Sequence, residues 1–140
     1  MKLLISACLL GQNCKYNGGN NYSDELNAFL KNGNHTVIPV CPETLGGLPI
    51  PRVPAEIRNG IVTNRDGISV DKEFRAGAEK ALSIALSEKV DLAILQSRSP
   101  SCGVGYIYDG TFSKHLINGN GIFAEMLIQN GIAVKDVADL

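Results

Sequence analysis

Three features are missing from this sequence: any run of lysine or arginine, any close pair of cysteines, and any long apolar stretch. Thirteen basic residues face fourteen acidic ones, a net charge of −1, so a broad basic surface for a polyanion is excluded. Nucleic acid is not an expected partner, and a small neutral or weakly charged ligand fits better. The apolar stretches fall short of the ~18 residues a membrane span needs. The N-terminal MKLLISACLL suggests a leader, but Leu3–Leu10 is short and Gly11-Gln12-Asn13-Cys14 offers no small-x-small cleavage site. A buried first strand accounts for it better, and a cytoplasmic location is expected. Internal repeats and low-complexity stretches are also missing.

The 140 residues, 44% of them hydrophobic, suffice for one domain with one core, spanning 1–140. Lys2–Ala7 reads as a buried strand and Gly11–Asn21 as a polar loop. Ser23 caps a helix over Asp24–Lys31, which stops at Asn32-Gly33. His35–Val40 supplies a second strand. Cys41–Gly60 holds four of the six prolines and reads as one long loop. Ile61–Val70 resembles a small hairpin turning at Asn64–Gly67. Ser69 or Asp71 then caps a helix over Lys72–Glu88, whose apolar face is Phe74, Ala78, Ala81, Leu82, Ala85 and Leu86. Asp91–Gln96 is a third strand, Ser97–Gly110 a loop, Gly121–Gln129 a helix and Ile132–Val137 a last strand; Thr111–Asn120 has no clear pattern. Strands alternating with helices predict a Rossmann-like α/β fold: a mostly parallel sheet flanked by helices, plus a small hairpin.

Ligands of such sheets bind beyond the carboxyl ends of the strands. Cys8 ends the first strand, Cys41 directly follows the second, and Cys102 lies six residues beyond the third. All three belong on that edge. Cys14 shares the loop of Cys8. Structural zinc usually shows a C-x₂₋₄-C pair and a thioredoxin-like couple a C-x-x-C; the chain has neither. His35 and His115, the two histidines, read as ordinary surface or strand-end residues rather than metal ligands. Separate thiolates suit an iron–sulfur cluster held by several loops, although the spacing follows neither ferredoxin pattern. Around the thiols, Glu43 is a candidate general base. Arg98, Ser99 and Ser101 could donate hydrogen bonds to a cluster or a substrate. Arg52 sits on a stiff segment between Pro51 and Pro54, whereas Glu56 and Arg58 read as a surface pair.

Six motifs occur together and in order: Ser6-Ala7-Cys8-Leu9-Leu10-Gly11; Cys14-Lys15-Tyr16-Asn17-Gly18; Pro39-Val40-Cys41-Pro42-Glu43 with Gly46-Gly47-Leu48-Pro49; Pro51-Arg52-Val53-Pro54-Ala55-Glu56; Ser99-Pro100-Ser101-Cys102-Gly103; and Tyr108-Asp109-Gly110-Thr111-Phe112. Together they resemble the bacterial thiouracil desulfurase family, formerly a domain family of unknown function, from about Leu4 to Val134. The resemblance implies a [4Fe–4S] cluster on Cys8, Cys41 and Cys102, oxidisable enough to be absent from an aerobic preparation. It implies Glu43 as acid/base and Ser99 as its helper, and a small thiolated pyrimidine as the substrate, desulfurated without net redox chemistry. Lys15, Asn17 and Gln96 stand where the family more often has Arg, Asp and Lys. The alternative is a non-enzymatic iron–sulfur or metal-binding protein with Cys14 as a fourth ligand.

Overall fold

The structure, a computed structural model, describes residues Met1–Leu140. Strand β1 (Lys2–Ser6) is followed by a 3-10 turn (Ala7–Leu10), helix α1 (Asp24–Lys31), strand β2 (Thr36–Val40), and a short helix α2 (Pro42–Leu45). Strands β3 (Ala55–Arg58) and β4 (Ile61–Asn64) precede the long helix α3 (Asp71–Glu88) and strand β5 (Leu92–Leu95). Strands β6 (Tyr106–Tyr108) and β7 (Leu116–Asn118), helix α4 (Ile122–Gln129) and strand β8 (Val134–Asp136) complete the chain before a final 3-10 turn.

The main sheet has the order β2-β1-β5-β8 and every pairing in it is parallel. β1 is central, and its Leu3, Leu4 and Ile5 are wholly buried because both faces of the sheet are covered. Alternation sends Leu4, Ala93 and Leu95 toward α3 and α4, and Leu3, Ile5 and Ile94 toward Leu26 of α1. Each of these leucines and isoleucines contributes roughly 1.5–3 kcal/mol of burial. Ser23 caps α1 as its sequence suggests, its hydroxyl accepting from the Leu26 amide at 3.1 Å.

Helix α3 presents small residues, Gly77, Ala78, Ala81 and Ala85, on its buried face. A Cβ at Gly77 would come within 1.8 Å of the Pro42 carbonyl oxygen, and one at Gly46 within 2.0 Å of the Glu73 carbonyl oxygen. The missing side chains let α2 lie directly on α3, which fixes the backbone that carries Glu43.

Four sequence expectations need correction. Cys41–Gly60 is not one loop: Pro42 takes the first position of α2, where a missing N–H costs nothing, and β3 follows. The hairpin is β3–β4, turning at Asn59-Gly60, both at positive φ (51° and 78°). That is the Asn-Gly turn that matches strand twist best. The expected turn at Asn64–Gly67 exists, but only one bridge, Thr63 with Ser69, pairs its arms. Neither Ser69 nor Asp71 caps α3, which starts at Asp71 after Val70; the Asp71 carboxylate instead accepts from the Val62 amide at 3.0 Å. Finally, β6 and β7 form a second hairpin between the segments read as loop and as patternless.

Candidate active site

A cavity of about 620 Å³ opens at the carboxyl edge of the sheet. Cys8, Cys14, Cys41 and Cys102 all line it, and all four are free thiols. Cys8 lies in the turn after β1, half-buried, with the Asn21 side-chain amide 3.5 Å from its sulfur. Cys41 occupies the residue between β2 and α2, its sulfur 3.9 Å from the Cys14 carbonyl oxygen. Cys102 is buried, 4% exposed. Burial raises the pKa of Cys8, and the Cys41 and Glu43 charges add to the effect, against the Asn21 hydrogen bond. Burial likewise pushes Cys102 up to about 12, outweighing hydrogen bonds from Ser6 and Ser101. Burial and the neighbouring Cys41 push Cys14 up to about 12. Ordinary neutral thiols result unless a cation draws off their protons.

Glu43 faces this edge from α2. Arg52 holds one carboxylate oxygen, Oε1, with both Nε and Nη2 at 3.1 Å. The ion pair is largely buried, with 7% of the Arg52 side chain and 18% of the Glu43 side chain exposed. Arg52 also donates to the Cys14 carbonyl at 2.9 Å and the Pro49 carbonyl at 3.2 Å, so one guanidinium ties Glu43 to the Cys14 loop. The other carboxylate oxygen, Oε2, accepts from Ser101 Oγ at 2.8 Å.

The neighbouring serine does not reach Glu43 directly. Ser99 Oγ accepts the backbone amides of Ser101 and Cys102, each at 3.1 Å. A hydroxyl has two acceptor sites and one proton. With both acceptor sites filled, the Ser99 proton points to Ser101 Oγ, 3.0 Å away. Ser101 Oγ lies 3.7 Å from Cys102 Sγ and 2.8 Å from Glu43 Oε2, so its one proton goes to the closer carboxylate. The hydrogen bonds therefore run one way, from Ser99 through Ser101 to Glu43, and Ser99 also fixes the amide of Cys102.

Arg98 lines the cavity and forms none of the ion pairs in the structure. Its φ of +61° is a left-handed conformation unusual for a side-chain-bearing residue. Phe112 (φ +57°) and Lys114 (φ +64°) share that feature and line the same cavity. Such conformations cost on the order of 1–3 kcal/mol each and gather at functional sites. The reading of Glu56 and Arg58 as a mutual surface pair is overturned. Glu56 accepts the amides of Gly110 and Phe112 at 3.0 Å each, and Arg58 donates to the Gly110 carbonyl at 3.0 and 2.7 Å. His35 and His115 lie outside the cavity; His35 stacks on Phe29 instead.

No helix is long and apolar enough to cross a membrane. Residues 3–139 match the 2-thiouracil desulfurase family. The chain is 37% identical to the uncharacterized protein YbbK of Bacillus subtilis (strain 168), over 94% of this chain and 93% of that one. A solved structure of the [4Fe-4S]-dependent thiouracil desulfidase TudS superposes with a TM-score of 0.88 at 40% identity, covering 99% of this chain and 92% of the other. The chain therefore belongs to the 2-thiouracil desulfurase family of enzymes.

Proposed function

We propose that this chain hydrolyses the C=S bond of a thiolated uracil, 2-thiouracil, 4-thiouracil or a related thiopyrimidine, with a [4Fe–4S] cluster bound by Cys8, Cys41 and Cys102. Water and the thione exchange oxygen for sulfur, giving uracil and hydrogen sulfide; no electrons are gained or lost. The observation that carries this reading is one carboxylate, Glu43, held by Arg52 and Ser101 at the edge of a cavity ringed by thiols.

The donor set fits the cluster. Sulfur atoms from three separate crossover loops line one cavity. When bound on three thiolates, the cluster supplies an iron without a protein ligand, a soft Lewis acid for thione sulfur. The chain does the rest. Glu43 Oε1 is committed to Arg52, but Oε2 keeps a free lone pair beside its Ser101 bond, and that lone pair takes a proton from the attacking water. Arg52 keeps the carboxylate aimed. Ser101 donates to it and Ser99 to Ser101, and Arg98 faces the cavity for polar contact with substrate. On this reading Cys14 is left out of the ligand set; its carbonyl is anchored by Arg52 while its thiol flanks Cys41, so a fourth thiolate there is the alternative that its replacement tests.

Anaerobic purification with iron and sulfide, cluster spectroscopy, and sulfide release from 2-thiouracil, 4-thiouracil and their nucleotides test the proposal. Cluster absorption together with stoichiometric uracil and sulfide is the expected result. A loaded protein that releases no sulfide from any of these thiones overturns it.

A further inference from the structure

Two segments distant in sequence meet at the far wall of the cavity, and the chemistry at Glu43 uses neither. One is β3 with Glu56 and Arg58; the other is the turn after β6, Asp109–Phe112. Glu56 Oε1 accepts the amides of Gly110 and Phe112, and Arg58 grips the Gly110 carbonyl between two donors. Four charge-assisted bonds on a four-residue turn are far more than a connection between short strands needs. They hold Phe112 at φ +57°, a backbone conformation a bulky residue rarely adopts. The held residue is an aromatic ring that lines the cavity, half-exposed, in a chain with 6% aromatic residues. The Arg65 guanidinium lies over that ring, 5.8 Å from its centroid. A solvent-facing turn could leave such a ring mobile; here it is locked in place with a cation on one side.

From this geometry we infer that Phe112, fixed by Glu56 and Arg58 and flanked by Arg65, is the stacking platform for the substrate's pyrimidine ring. A flat heteroaromatic ring stacks on Phe112 beside Arg65, which lines the same cavity; that stacking sets the plane in which its C=S bond is presented to the thiols and Glu43. Arg65 strengthens the platform through the quadrupole of the phenyl ring. Phe112 is then a binding and specificity residue, and Glu56 a positioning residue that acts through it. The inference rests on the proposed thiouracil reaction and deepens it.

The chain contains no tryptophan, so Phe112→Trp places a single emitter on the platform. In cluster-loaded protein, uracil and 2-thiouracil should quench that emission in a saturable way. A tryptophan at exposed Tyr106, outside the cavity lining, should not respond. Kinetically, Phe112→Ala should raise KM for 2-thiouracil about 5- to 150-fold, the range that base–aromatic stacking is worth. Cluster absorption should change little. Phe112→Tyr should restore KM, whereas Phe112→Leu, apolar but without a π-face, should not. Glu56→Ala, which frees the turn, should reproduce the KM effect with the cluster intact. Wild-type sulfide release separates the two claims: its absence brings down the reaction and the platform together. With wild-type release present, an unquenched Phe112→Trp, or a Phe112→Leu enzyme equal to Phe112→Tyr, overturns the platform alone.

Discussion

Arg52 binds Glu43 through a single carboxylate oxygen, both of its contacts falling on Oε1 at 3.1 Å. The other oxygen is left to Ser101 and to whatever enters the cavity. This asymmetry makes the pair more than an ion bridge, and it sets what removal of either partner should do. Glu43→Gln keeps the shape and an acceptor but loses the proton-taking charge. Cluster absorption and substrate binding should persist while turnover falls on the order of 10²–10⁴, the usual worth of general acid–base catalysis. Undiminished turnover would remove Glu43 from the mechanism. Arg52→Ala leaves a partly buried carboxylate unpaired and frees the Cys14 carbonyl, so it should cost stability as well, on the order of 3–5 kcal/mol. Urea unfolding of the two variants distinguishes the effects.

The one-way hydrogen bonds from Ser99 through Ser101 to Glu43 predict non-additive losses. Ser99→Ala and Ser101→Ala should each lower turnover, both by less than Glu43→Gln, because water can replace a hydroxyl that only orients. Once Ser101 is gone, the link from Ser99 to Glu43 is already cut. The double variant should therefore be slower than Ser101→Ala by much less than Ser99→Ala is slower than wild type. Fully multiplicative losses would show that the serines act separately.

What the sequence made legible, and what it hid, follows from range. β1 and β5 are buried on both faces, so they appear as near-continuous apolar runs, and the cysteines could be placed beyond the strands from that alone. Ser23 and the helix it caps are local and were equally readable. β3 was hidden by the prolines around it, and β6 and β7, three residues each, are too short for any periodicity to register. Ser101 rather than Ser99 touches Glu43 because of where backbone amides point, which no residue pattern encodes. Glu56 finds its partners 54 and 56 positions away, so its neighbour Arg58 was the natural and mistaken choice.

The cluster proposal separates ligands from bystanders. Cys8→Ser, Cys41→Ser and Cys102→Ser should each abolish the visible absorption of anaerobically reconstituted protein, since each removes one of three thiolates. Cys14→Ser should retain most of it, although Cys14 lines the same cavity. Equal loss at Cys14 would point to a four-thiolate site with no iron left open for a thione.

Acid stability should carry the signature of Asp71. Burial alone would raise its pKa, but the Val62 amide and the Arg75 guanidinium outweigh this and hold it below the ordinary value. A carboxylate with a depressed folded pKa contributes stability above its unfolded value, about 3.9, and loses it as pH falls through the folded value. Wild type should therefore exceed Asp71→Asn in urea resistance at pH 5–7, and the gap should close as pH drops below about 4. A gap unchanged down to pH 2 would mean that the charge of Asp71 contributes nothing.

The proposed chemistry is hydrolytic, and isotope and electron balances test that directly. Exchange of C=S for C=O with water leaves every oxidation state unchanged, so loaded enzyme should turn over repeatedly without any electron donor. The oxygen in the uracil should come from solvent, because Glu43 offers a proton acceptor for water and no transferable oxygen. In ¹⁸O-labelled water, each turnover should place one labelled oxygen at the former thione carbon, with sulfide released in equal amount. A requirement for a reductant in every cycle, or product oxygen that does not come from solvent, would assign the cavity a redox or transfer reaction. Glu43 and its two partners would then need a different role, even with the cluster in place.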